Sequence, residues 1–311
     1  MKYIYDTIRY ASAPIKKNKD GFFLVTRADR IAALHESTGH DLFLPRDFIF
    51  YTIVPNILLT AAILSIIYVL SFRLVDNIVP SDATFAKKRR VCYQMTNFVM
   101  NCVLGAMGLF FYTRPAAVQA DTPVEEKITG FVDTYPLSCL QLGFQLWSIP
   151  LGFFYVQESK EMLLHHVSVV FVTIMTSFFV TGFRYWVPFF YGVMEISSVP
   201  LAVMNTFKDN PLWIEKQPIA YFVVRMTFVV FFLYIRVWLL VPIQTAYLCD
   251  HYLFWSSSQN SVFKYFMAVV WIGSSFLLFL QLHWANLILQ GVLKQIFFKK
   301  SKDKARKQKR Q

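Results

Sequence analysis

The chain has 311 residues and a net charge of +12; it is 56% hydrophobic and 18% aromatic, with only 16% charged residues. Soluble domains carry about 25% charged residues, so the composition excludes an ordinary soluble fold. The positive charge is concentrated in KKRR (Lys87 to Arg90) and in nine basic residues after Gly291, beside apolar runs; this argues for membrane flanks rather than nucleic acid as a partner.

Residues 1–47 read as a mixed-charge N-terminal tail. No secretory signal peptide is expected, because the first long apolar run begins only near Phe48. A helix needs about 20 apolar residues to cross a bilayer. Seven spans meet that length: Phe48–Phe72, Val91–Tyr112, Pro136–Val156, Met162–Phe183, Tyr185–Asn205, Ile219–Tyr247 and Val262–Leu293. The fold class is therefore all-α, an integral membrane protein whose transmembrane domain runs over 48–293 and is followed by a basic tail at 294–311. The segment GFRYW leaves the fourth and fifth spans almost no linker, so they should form an antiparallel hairpin. Cys92, Cys102, Cys139 and Cys249 lie in or near apolar runs without a CxxC pair, and read as small hydrophobes.

Orientation follows from the basic residues. With seven spans, the KKRR loop and the C-terminal tail share a side, which should be cytosolic. The loop after span two is instead acidic, with Asp121, Glu125, Glu126 and Asp133. The final KQKRQ resembles a cytosolic retrieval signal of the KxKxx kind, which would place the protein in the endoplasmic reticulum; a merely solvated basic tail is the alternative.

Polar residues inside the spans are costly and usually face a bundle interior or a water-filled cavity. In span two, Gln94, Asn97, Asn101, Gly105 and Gly108 form one stripe, which reads first as a packing seam. In span four, Glu161 and His165 share a helix face, whereas His166 points about 100° away. A regular helix therefore cannot easily turn both imidazoles to one metal. The six histidines also lack a His-box set, since Met162 stands where HxxHH needs a histidine and HESTGH lies in the tail. No metal and no cofactor are expected. In span five, Tyr191, Glu195, Ser198 and Asn205 fall on one face, and Glu195 needs a proton or a partner. In span six, Arg225 and Arg236 are eleven residues apart and share a face of a regular helix. Arg236 requires an anion, either a carboxylate such as Glu195 or a lipid or acyl-CoA phosphate. Gln281, His283 and Trp284 interrupt the seventh span.

ESKEMLLHHVSVVF, MEISSVPLAVMN, FFLYIRVWLLVP and LQLHWANLILQGVLK together resemble the TLC family, over a core of about 87–294. That family includes ceramide synthases, TRAM translocon proteins and smaller lipid-homeostasis proteins. The resemblance implies a TLC-type helical barrel enclosing a lipid-sized tunnel. It also implies membrane lipids as partners, with other membrane proteins or a second copy as further candidates. Ceramide synthases pair two histidines with an HDxSD-like segment. Here His165 and His166 match the pair, but the second segment reads Met194, Glu195, Ile196, Ser197, Ser198, closer to non-synthase members. The leading expectation is a lipid-binding protein that affects membrane lipid composition. The alternative is a sphingoid-base N-acyltransferase with acyl-CoA as substrate. In that case His165, His166 and Glu195 would be catalytic, and Arg225, Arg236, Tyr191, Ser198 and Asn205 would bind lipid or anion. A translocon or trafficking accessory is the third expectation.

Overall fold

The structure is a computed structural model and describes residues 49–79, 84–113, 135–176, 186–257 and 261–308. The N-terminal tail, HESTGH, the acidic loop, most of the GFRYW turn and the last three residues of KQKRQ lie outside the described residues.

Every regular element described is helical. A π turn at Ile49–Ile53 leads into α1 (Val54–Ile78), followed by α2 (Phe85–Thr113). Next come α3 (Tyr135–Leu151), which widens into a π turn at Gly152–Val156, and α4 (Lys160–Ile174). The fifth expected span is broken into α5 (Val187–Tyr191), a 3₁₀ turn (Val193–Ser197) and α6 (Ser198–Asp209). The short α7 (Pro211–Lys216) precedes α8 (Pro218–Leu233), a π turn at Tyr234–Leu239, α9 (Leu240–Ser257) and the long α10 (Ser261–Gln308).

Among the described residues, six segments are long and apolar enough to cross a membrane: Ile49–Ile78, Phe85–Thr113, Tyr135–Val156, Val187–Asp209, Pro218–Leu253 and Lys264–Lys294. The expected fourth span is represented by α4, whose 15 described residues stop short of a full crossing, and its remainder lies outside the described residues. The chain is thus an all-α, multi-pass membrane protein.

The helices close into a ring. α2 packs on α3, α3 on α4, α4 on α10, α10 on α8 and its π turn, α8 on α6, and α6 back on α2. α1 lies outside this ring against α2 and α3, and presents exposed Leu58, Leu59, Ile63 and Ile66 on its far side. An outward apolar surface is what lipid contact favours, since lipid tails are as apolar as leucine.

Local chemistry explains the two breaks that shape the interior. Pro200 stands in the first turn of α6 and cannot donate to the carbonyl four residues earlier, so one continuous α-helix cannot run through this span. The 3₁₀ turn takes up the difference, and Gly192 precedes it. That glycine lies directly against Gly108 of α2, where a Cβ on either would occupy the other's backbone space. The small-residue half of the α2 stripe is therefore a packing seam, as expected. Its amide half, Gln94, Asn97 and Asn101, faces a cavity instead. The second break is the π turn around Arg236. Such turns shift the register of everything after them and recur at functional sites.

Gly108→Ala is expected to destabilise the fold by about 1–3 kcal/mol, because two backbones in contact cannot move apart without unpacking α2 from α5 and the 3₁₀ turn. Thermal unfolding in detergent should show a lower midpoint for this variant than for Val103→Ala on the exposed face of α2.

Candidate functional site

The site is organised by a buried cation. Arg236 is 6% exposed, and its guanidinium donates to five acceptors. Nε reaches Ser197 Oγ at 2.7 Å and Nη1 reaches Gln281 Oε1 at 3.1 Å. Nη2 reaches Ser198 Oγ at 2.8 Å, the Met194 carbonyl at 3.3 Å and Glu195 Oε2 at 3.4 Å. A guanidinium has five N–H donors; Nε has one acceptor, Nη1 one and Nη2 three, so four of the five are engaged by the protein and the second Nη1 N–H has no acceptor among the described residues. Glu195 is equally engaged: it accepts from Arg236, from the Ser198 hydroxyl at 2.6 Å and from Gln141 Nε2 at 3.3 Å. The anion that Arg236 requires is thus Glu195. The 3₁₀ turn makes this possible by bringing Met194, Glu195, Ser197 and Ser198 to one cation.

The two histidines divide. His166 is buried: Nδ1 bonds Gln145 Oε1 at 2.5 Å, and Nε2 lies 3.3 Å from Glu158 Oε2, an oxygen without a hydrogen-bond partner among the described residues. Glu158 is set by the turn between α3 and α4. Gln157 there adopts a left-handed backbone (φ 58°), and Ser159 caps α4 by accepting from the Met162 N–H. Gly152 leaves room for the Glu158 carboxylate, whose Oε2 would lie 2.8 Å from a Cβ at that position. His165 turns elsewhere. Its ring meets the edge of Trp284 at 5.3 Å between centroids, and its buried Nδ1 has no hydrogen-bond partner among the described residues. The two imidazole centroids are 5.7 Å apart and tilted by 55°.

Two cavities meet at this cluster. One, of about 280 Å³, is the more polar of the two: Gln94, Asn97, Asn101, Gln145, Glu158, His166, Ser198, Asn205 and Lys208 line it, together with apolar walls that include Phe144, Leu201, Phe228 and Leu287. The other, of about 80 Å³, is largely apolar, with Val169, Val172, Phe190, Leu240 and Leu278 among its walls. Tyr191 also lines it, sharing a 2.7 Å hydrogen bond with Thr176. The lining residues common to both cavities are His165, Glu195 and Arg236. The sequence candidates His165, His166, Glu195, Arg236, Ser198, Asn205 and Tyr191 are therefore brought together.

Arg225 is placed differently. It lies on α8 near Lys208 and is not among the residues lining either cavity. The eleven-residue spacing aligns it with Arg236 on a regular helix, but the π turn intervenes and alters the register. Glu161 is exposed at the start of α4, and the carboxylate that reaches a histidine is Glu158. Glu158, Gln145 and Gln141 were not singled out from sequence. The available signal is the steps of four and three between Gln141, Gln145 and Ser148 in an apolar run; all three are buried.

Arg236→Leu should lower stability by about 3–5 kcal/mol, because it leaves Glu195 buried without its counter-charge. The double variant Arg236→Leu/Glu195→Leu should recover part of that loss. A double variant no more stable than the single one in thermal unfolding would mean that the ion pair is not the term at work.

The family model described as the TLC domain matches residues 90–290. Comparison with curated proteins and with solved structures gave no match. The matched segment begins at the basic start of α2, ends within α10 and contains every residue of the Arg236 cluster. The chain belongs to the TLC-domain family.

Proposed function

We propose that this protein binds a membrane lipid inside its helical ring and thereby influences membrane lipid composition. The observation that carries this reading is the junction of a polar and an apolar cavity at His165, Glu195 and Arg236. An amphipathic molecule matches such a division: its head takes the polar chamber and its chain the apolar one. Buried polar atoms need partners, and His165 Nδ1 and Asn97 Oδ1 lack them among the described residues. A lipid head with hydrogen-bonding groups would satisfy both. The glutamates lining the polar chamber, Glu158 and Glu195, match its Arg236 and Lys208 in number, which favours an uncharged or zwitterionic head. The basic residues at the start of α2 and after Gly291 support a cytosolic side for both.

Mass spectrometry of the full chain purified in mild detergent tests this reading. The wild type should retain a co-purifying lipid. Leu278→Trp, which fills the apolar chamber, and His165→Phe, which removes the free ring nitrogen, should each reduce it severalfold. Absence of lipid from the wild type, or equal retention by all three proteins, would reject the reading.

A second reading is acyl transfer from acyl-CoA to a long-chain amine, and the unpartnered Nδ1 of His165 favours it. The amine nitrogen would attack the thioester carbonyl, His165 would take the amine proton, and the C–S bond would break to release the thiol. Glu158 and Gln145 would hold His166 beside it. Incubation with acyl-CoA and a sphingoid base should then yield amide and free thiol in equal amounts. His165→Ala should abolish both products; turnover that survives this change excludes the mechanism.

A further inference from the structure

The helix directions put the two inner chambers on one axis. Tyr93, near the start of α2, stacks on Trp147 and shares a hydrogen bond of 3.0 Å with Ser148, near the end of α3. Asp209, at the end of α6, lies 3.9 Å from Arg90, and Phe207 packs on Tyr221 near the start of α8. The polar chamber therefore occupies the half of the ring that carries KKRR. The apolar chamber extends the other way, past Val172 and Thr176 to Gln244 and Tyr247.

The mouth of the polar chamber is basic. Positions three or four apart share a helix face. Gln94 lines the chamber from α2, and Arg90 stands four residues nearer the basic end. Phe228 lines it from α8, and the half-buried Arg225 stands three residues nearer that end. On α6 the outermost lining residue is Lys208 itself, which lies close enough to Arg225 for the two charges to repel. The carboxylate among them is Asp209, and Arg90, Lys87 and Lys208 all act on it. On the facing wall Glu161 is exposed, and Glu158 lies deeper, against His166. The rim thus holds more cations than its own acid offsets. Like charges held together out of bulk water are costly, and an anion between them relieves that cost.

A phosphate suits such a rim, because lysine and arginine both bind it well. We propose that Lys208 and Arg225 form a phosphate-binding site at this mouth, and that its ligand is a membrane phospholipid. The phosphodiester lies between the two cations, the glycerol esters occupy the polar chamber, and one chain runs towards Tyr247. This rests on the lipid-binding reading above and narrows the head to one that carries a phosphate.

Lipid retention tests it. The full chain in mild detergent is incubated with an equimolar mixture of phosphatidylcholine, phosphatidylethanolamine and diacylglycerol with identical chains. Retained lipids are quantified by mass spectrometry after gel filtration. The wild type should retain phospholipid over diacylglycerol. Lys208→Gln and Arg225→Gln should each lower that ratio about tenfold, the loss expected for one charge-assisted hydrogen bond. Lys208→Arg and Arg225→Lys should preserve it. So should Lys216→Gln, which removes an exposed cation of α7 at the same end of the ring. Equal retention of diacylglycerol by the wild type, or a ratio unchanged in both glutamine variants, overturns the proposal and leaves the lipid-binding reading standing. A wild type that retains none of the three lipids rejects that reading itself. A second incubation adds acyl-CoA, whose phosphates offer the same chemistry. Displacement of phospholipid by acyl-CoA that depends on Lys208 and Arg225 would give the two cations to that carrier and overturn the phospholipid assignment.

Discussion

The interior of this protein depends on one guanidinium placed where water cannot reach it. Arginine keeps its charge in proteins, so Arg236 cannot escape burial by losing a proton. It must be surrounded by acceptors, and five are supplied. They come from the broken span (Met194, Glu195, Ser197 and Ser198) and from α10 (Gln281). The cation itself sits on the π turn after α8. Three membrane segments are thereby tied at one point. Residues 194, 195, 197 and 198 of the broken fifth span would share one half of a regular α-helix; the 3₁₀ turn draws them closer into line, and all four reach one planar group. Packing assists: the Gly108–Gly192 contact brings α2 close behind the turn and fixes its depth.

The engagement of Arg236 bears on the site. Four of its five N–H groups and the Glu195 carboxylate are engaged by the protein, so this pair serves mainly as a wall, with one Nη1 N–H left over. Beside it at the junction stands His165, whose Nδ1 has no hydrogen-bond partner among the described residues. Its neighbour His166 lies between Gln145 and Glu158 and so resembles a structural post. Adjacent positions on a helix point about 100° apart, and that angle is what permits two identical side chains to hold such different places. One imidazole is hydrogen-bonded to the Gln145 amide with the Glu158 carboxylate near it; the other lines both chambers, and its Nδ1 has no hydrogen-bond partner among the described residues.

The sequence carried the large features well, and periodicity explains why. Long apolar runs mark spans, and polar residues at steps of three and four mark the inward faces; His165, Glu195, Ser198 and Asn205 were found this way and do converge. What escaped was set by irregular backbone. Glu158 is presented by a left-handed residue at Gln157, for which no regular period exists. The expected alignment of Arg225 with Arg236 assumed an uninterrupted helix, and the π turn at Tyr234–Leu239 interrupts it. The fourth span was legible as an apolar run, yet its pairing with the fifth through GFRYW falls on residues outside those described. Glu195 was recognised as needing a partner, and Arg236 as one candidate; only the fold could choose it over a ligand phosphate.

The segment MEISS can now be understood as part of an electrostatic balance. A synthase-like HDxSD pattern would place a histidine and two acids here, whereas this chain has Met194, one acid and Ser198. The departure at Ser198 is used by the cation, since its hydroxyl both accepts from Nη2 and donates to Glu195; the Met194 carbonyl that also accepts from Nη2 is backbone and does not depend on the side chain there. One carboxylate against one guanidinium leaves this wall neutral. A second acid at position 198 would place two carboxylates around a single buried cation, and the excess negative charge would need a proton or a cationic ligand to offset it. The neutral wall removes that demand. An interior balanced in this way places no net charge on the wall beside His165, and this neutrality is what the proposed uncharged or zwitterionic head would meet.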